Sequence, residues 1–177
     1  MGGRGASSLS SYSNSLRKAE NSIRNNETES LIILDKNGKV LINKSDNQRR
    51  EVRITQEEAL RMQNNVLTHN HPGGTTFSYM DLNTAYSTGV SEIRAVHKSG
   101  YYSLKRNFAI NESIPTNYKK FSSDYDKAIK NYMKTTTDKV FAATRDAKRA
   151  NAMVADFKRK WLKENSSKYG WTYKEGK

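Results

Sequence analysis

The stretch VLTHNHPGGTTFSYMD, from Val66 to Asp81, holds two of the chain's three histidines, one residue apart. A Pro-Gly-Gly turn, Ser78 and Asp81 follow. Alternate side chains of an extended strand point the same way. His69 and His71 therefore share a face, and their imidazoles can share one ion. A helix is predicted to start at Ser78, which puts Asp81 in its first turn, from where a carboxylate can swing back toward the histidines. Two histidines and one aspartate leave a fourth tetrahedral position for water, the pattern of a catalytic rather than a structural zinc. Zinc lowers the pKa of such a water to about 7, and a nearby glutamate is then needed to take and return the proton. The competing reading is local. Ser78 and Asp81 fit the capping-box pattern [ST]-x-x-[DE], and Asp81 gains from the helix dipole with no chemistry required. His97, at the end of another predicted strand, reads as a bystander.

The elements that must position these residues are legible on both sides. In ESLIILDKNGKVLIN, the runs Leu31 to Leu34 and Val40 to Ile42 flank Asp35-Lys36-Asn37-Gly38, which predicts a hairpin. EVRI, Glu51 to Ile54, reads as a third strand. Thr55 with Glu58 three residues on predicts a capped helix to about Met62, ended by Asn64-Asn65. VLTH is a strand running into the histidines. YMDLNTAYST is a helix closed by Gly89. EIRAVH and YYSLKR are strands joined by a turn at Ser99-Gly100. The expected fold class is α+β, a small mixed β-sheet with two helices, followed by a basic α-helical extension.

After Pro115 the periodicity is helical. Phe121, Tyr125, Ile129 and Tyr132/Met133 make one apolar stripe. Val140, Ala143/Thr144, Ala147, Ala150, Val154, Phe157 and Trp161 make a second, and KTTTDK between them predicts a break. The start, MGGRGASSLSSYSNS, is Gly/Ser-rich and reads as a disordered arm, with a short helix from about Leu16 to Arg24. The expected division is an arm with its short helix at 1–26, the α+β domain at 27–110, and a basic helical extension with a polar tail at 111–177.

Charge is uneven. Residues 1–100 carry 13 basic and 10 acidic side chains, and residues 101–177 carry 18 and 8, so the +13 net charge sits mainly in the second segment. Basic charge favours polyanions such as nucleic acid, or an acidic protein surface. Lys148, Arg149, Lys158, Arg159 and Lys160 are the expected outward basic face for such a partner. The bland alternative is a solvated lysine-rich surface. Cysteine is absent, which excludes disulfides and thiolate ligands. No apolar run approaches the roughly 20 residues of a membrane span, and the start lacks a signal-peptide core. A cytoplasmic protein without a membrane role is expected.

With these residues in place, THNHPGGTTFSYMD resembles the His-x-His…Ser-x-x-Asp signature of the JAMM (JAB/MPN) metalloprotease fold. The resemblance is strongest to the RadC-like branch, in which HNHP precedes a small-residue turn. LIILDKNGKVL upstream, and EIRAV…YSL with the MGGRGASS start, are similar to that branch and to small phage and mobile-element proteins. The resemblance covers roughly residues 27–106. It implies His69, His71 and Asp81 as Zn2+ ligands and Ser78 as the hydrogen-bond donor to an oxyanion. It places the proton-shuttling glutamate before the first strand: Glu29, or Glu27 on the same face, with Glu51 a weaker candidate. The implied activity is hydrolysis of a peptide or isopeptide bond in a protein or peptide substrate. The alternative is a non-catalytic phage accessory protein on this scaffold, acting in the bacterial cytoplasm. It would bind nucleic acid or inhibit a host defence protein–nucleic-acid complex through its basic helices. One spacing departs from the family. Six residues, Pro72 to Phe77, separate the second histidine from the serine, where seven are common. The shorter loop either displaces Asp81 from the ion or is absorbed by its two glycines.

Overall fold

A computed structural model describes residues 5–45, 52–109 and 112–177. The hairpin forms as its turn chemistry dictates, with β1 (Ser30–Leu34) antiparallel to β2 (Val40–Ser45) and Ile33 opposite Ile42. Asp35 Oδ1 accepts from the backbone N–H of Asn37 and Lys39 at 2.8 and 2.9 Å. Gly38 is required twice over. Its φ of +83° belongs to the left-handed region, and a Cβ there would lie 2.7 Å from Ser15 Cβ. α2 (Gln56–Met62) carries the Thr55–Glu58 capping box in full. β3 (Val66–Asn70) then crosses through α3 (Tyr79–Thr88) to β4 (Glu92–His97), which returns as β5 (Gly100–Arg106).

The result is a mixed α+β fold around one six-stranded sheet of order β2-β1-β3-β4-β5-β6, antiparallel except for the β3/β4 pair. Parallel pairing requires a crossover, and α3 supplies it. Both faces of the sheet are covered. On one, Ile32, Leu34 and Val96 meet Ala19 and Ile23 of α1 (Gly5–Ile23). On the other, Leu31, Ile33, Leu67, Ile93 and Leu104 meet the C-terminal helices. No described helix is long and apolar enough to cross a membrane.

Four expectations need correction. The Ser-rich start is helical from Gly5, because Tyr12, Leu16, Ala19 and Ile23 recur at spacings of four, three and four. That stripe packs on the sheet and outweighs weak local propensity. Val52 to Ile54 form no strand, and Glu51 lies outside the described residues. The Arg53 carbonyl accepts from the Lys44 ammonium of β2 at 2.7 Å, and no backbone ladder is assigned there. KTTTDK does not break the helix either. Between α4 (Phe121–Tyr132) and α5 (Asp138–Thr144), residues Met133–Thr137 widen into a π turn. Thr135 and Thr137 hydroxyls donate to the carbonyls of Asn131 and Met133 there. The backbone turns instead at Arg145, φ +57°, before α6 (Ala147–Asn165).

The fourth correction concerns the tail. WTYKEG is β6 (Trp171–Gly176), antiparallel to β5, with Tyr173 opposite Leu104. Trp171 is 1% exposed and its ring centroid lies 5.8 Å from that of Tyr118. Trp171→Ala should therefore destabilise the protein by about 3–5 kcal/mol, the range for emptying a large aromatic site. Urea unfolding would measure it, and a loss below about 1 kcal/mol would show that β6 is peripheral.

Candidate metal centre

β3 is buried on both faces, and its register decides which side chains meet the site. Leu31 of β1 pairs with His69, and the ladder to β4 continues past the strand as the His71 N–H donates to the Val96 carbonyl at 2.7 Å. His69 and His71 consequently share the face that α3 covers. They are 6% and 7% exposed, and their Nε2 atoms lie 2.9 Å apart. Gly74, φ +68°, closes the turn by donating its N–H to the His71 carbonyl at 2.9 Å. The backbone then runs back through Thr75 and Thr76 to the start of α3.

That start brings the carboxylate to the histidines. The Ser78 N–H donates to Asp81 Oδ2 at 2.6 Å, and the Asp81 N–H donates to Ser78 Oγ at 3.2 Å. Asp81 Oδ1 lies 3.2 Å from His69 Nε2, and Oδ2 lies 3.5 Å from His71 Nε2. The six-residue loop thus brings Asp81 to both histidines, and capping coexists with convergence on the site. His69, His71 and Asp81 form a group able to hold a metal ion, one ligand atom from each lying within 4.8 Å of the others. The chemistry of the donors fits. His71 Nδ1–H donates to the Thr75 carbonyl at 2.7 Å, which turns the Nε2 lone pair into the centre. His69 Nδ1 is buried without a hydrogen-bond partner that meets geometric criteria among the described residues.

The charges are strongly coupled. Burial acts to lower the His69 pKa, but Asp81 beside it outweighs this, Glu29 adds to the effect, and the value stands above 6.5. Burial and the neighbouring His69 push His71 below its ordinary value. Burial acts to raise Asp81, yet the two imidazoles and the Ser78 N–H hold its carboxyl well below the usual carboxylate range.

The centre lies in a cleft of about 1430 Å³. Glu29, Glu27 and Ser78 all line it. Glu29 is half-buried and immediately precedes β1, in register with its histidine-facing residues, whereas Glu27 is exposed. His97 stays apart, half-buried and stacked on Tyr102 at 4.9 Å between centroids. The basic residues do not form one face. Lys148, Arg149 and Lys160 are exposed, Arg159 is half-buried and paired with Asp156, and Lys158 lines the cleft. Each helical residue turns about 100°, so three consecutive side chains cannot share a direction.

Three supporting residues escaped the sequence reading. Asn70, fully buried between the histidines in sequence, accepts from the Ser30 N–H at 2.6 Å and donates to the Asn26 and Thr28 carbonyls, each at 3.0 Å. It clamps the segment that carries Glu29. Tyr125 of α4 donates its hydroxyl proton to the Phe77 carbonyl at 2.7 Å, and Tyr102 reaches the Gly74 carbonyl at 3.4 Å. A polar residue inside a wholly buried strand and a tyrosine within an apolar stripe were the available signals.

The shared carboxylate and the shifted histidine both have measurable consequences. Asp81→Asn keeps an acceptor for the Ser78 N–H but loses the charge. Zinc affinity should fall by more than the roughly 10–100-fold typical of losing a group that merely supports a ligand, while the metal-free fold is retained but destabilised by about 1–3 kcal/mol as the charge-assisted bonds are lost. Zinc titration and a thermal melt on one sample check both, and unchanged zinc affinity would remove Asp81 from the ligand set. A pKa raised above 6.5 means that the His69–Asp81 pair stabilises the metal-free protein below that pH and that this contribution is lost as pH rises through the raised value. A metal must displace the same proton. Its affinity is full above that pKa and falls about tenfold per pH unit below it. Calorimetric zinc titration in buffers of differing ionisation enthalpy should show proton release near neutral pH.

The protein matches no family model, no curated protein and no solved structure.

Proposed function

We propose that the protein is a zinc-dependent hydrolase of JAMM type that cleaves a peptide or isopeptide bond. The observation that carries this reading is the meeting of two imidazole Nε2 atoms and one carboxylate at 2.9–3.5 Å in a cleft of about 1430 Å³. His69, His71 and Asp81 would hold the ion. When bound, zinc supplies Lewis-acid activation of water and of the scissile carbonyl. Glu29, which lines the cleft, would accept the proton of the attacking water and return it to the leaving amine. Asn70 holds the backbone of the 26–30 segment from which that carboxylate projects. Ser78 Oγ accepts from the Asp81 N–H, which leaves its own proton to donate to the developing oxyanion. Tyr125 fixes the Phe77 carbonyl and hence the approach of Ser78.

Incubation with a pool of internally quenched peptides and an isopeptide-linked pair tests the reading. Cleavage should stop with chelator and return with zinc. Glu29→Gln should lower turnover by about 10²–10⁴-fold while still binding zinc. Cleavage that survives chelation would contradict the proposal.

A second reading has one observation behind it. Residues 141–149, across the α5–α6 turn, are all exposed and include Arg145, Lys148 and Arg149. A non-catalytic accessory protein would use that turn on nucleic acid or on a host complex containing it. Lys148→Glu with Arg149→Glu would then abolish binding to a DNA or RNA duplex, with a steep salt dependence in the native protein, and His71→Ala would leave binding intact. Duplex binding unaffected by the charge reversals would dismiss it.

A further inference from the structure

The basic excess of the C-terminal segment contains one lysine placed unlike the rest. On α6, Val154, Lys158 and Leu162 lie one helical turn apart on a single row. Val154 packs against the core and Leu162 is fully buried. A lysine between them is carried inward, over the sheet, while Lys148 and Lys160 go to solvent. Lys158 lines the same cleft as His71, Thr75, Ser78 and Asp81, close enough for its charge to act on His71 and Asp81. Among the described residues it has no hydrogen bond and no ion pair within 4 Å, although it is half-buried.

Two physical points turn this placement into a site. Partial removal of an ammonium from water is costly unless a counter-charge meets it. Burial indeed pushes the Lys158 pKa below 10.5, with Asp81 acting against that shift. Asp81 is a distant partner, because its oxygens already serve the Ser78 N–H and the two imidazoles. Other cations of the cleft are differently placed. Arg24 is spent on the His97 and Gly100 carbonyls, at 2.7 and 2.9 Å, and Arg53 and Lys98 are exposed. A half-buried cation in a cleft, with no anion of its own, is complementary to an anion that arrives with a ligand.

We propose that Lys158 anchors a carboxylate subsite next to the His69–His71–Asp81 centre, so that the protein takes peptides bearing a carboxylate close to the bond addressed by that centre. That such a peptide is a substrate rests on the hydrolase reading, but the subsite itself does not. The carboxylate comes either from an Asp or Glu residue of the peptide or from its free C-terminus, and both present the same group to the ammonium. The role is one of selection: Lys158 holds a group that does not react.

Binding, not turnover, tests this, so failure of the hydrolase reading leaves the result interpretable. Three probes are titrated into the full-length zinc-loaded protein, with backbone amide NMR shifts of Thr75, Ser78 and Thr84 as the readout. N-acetyl-glutamate α-amide offers only a γ-carboxylate, N-acetyl-alanine only a terminal one, and N-acetyl-alaninamide none. At least one carboxylate probe should bind tenfold or more tightly than the neutral amide. Lys158→Met, which suits its apolar row, should erase that preference without changing affinity for the amide, and Lys158→Arg should retain it. The probe that shows the preference identifies the source of the carboxylate. Equal binding of all three probes by the native protein would overturn the proposal. So would a preference that survives in Lys158→Met, since the centre alone would then account for it. The comparison of probes on the native protein stands even if a variant folds poorly.

Discussion

Asp81 has two carboxylate oxygens, and the site depends on how they are divided. Oδ2 takes the Ser78 N–H and starts α3, and Oδ1 faces His69. The start of a helix and the third corner of the centre are thereby one interaction. A capping-box carboxylate is fixed by its bond to the backbone N–H of the N-cap residue, so the cap locates it more firmly than a free surface position could. It also shortens what the loop must do. Six residues suffice between His71 and Ser78 because Gly74 adopts positive φ and the Thr75 carbonyl turns back to His71 Nδ1.

That loop is held from outside by residues distant in sequence. Tyr125 of α4 grips the Phe77 carbonyl and Tyr102 of β5 reaches the Gly74 carbonyl. Lys158 of α6 lines the same cleft. The C-terminal segment is thus structurally continuous with the sheet: it contributes β6, a core of stacked rings around Phe121, Trp161, Tyr169 and Trp171, and one wall beside the centre. Loss of that segment would expose the sheet and loosen the loop at once. Opposite, Asn70 ties the backbone entering β1 to the strand that carries both histidines.

What was legible in the sequence was local. The hairpin at Asp35–Gly38, both capping boxes, the Gly89 C-cap and the alternation of His69 and His71 each follow from rules spanning a few residues, and each is present. What was not legible depended on partners far away in sequence. WTYKEG is too polar to announce a strand, and only the free edge of β5 makes it one. The Ser-rich start looked unstructured because propensity alone disfavours it, while Leu16, Ala19 and Ile23 of its stripe find a sheet face to cover. Lys158, Arg159 and Lys160 read as a basic patch in a linear string, yet helical geometry sends them in three directions. The row through Val154 and Leu162 was the signal that Lys158 points inward.

The convergence of His69, His71 and Asp81 on one ion is open to direct observation in a crystal structure grown with zinc, with anomalous data collected on both sides of its absorption edge. The expected result is a peak bonded to Nε2 of His69 and of His71 and to an oxygen of Asp81, each at about 2.0–2.2 Å, with Ser78 still capping α3. An anomalous map with no peak among these three residues, or with zinc only at His97, would contradict it.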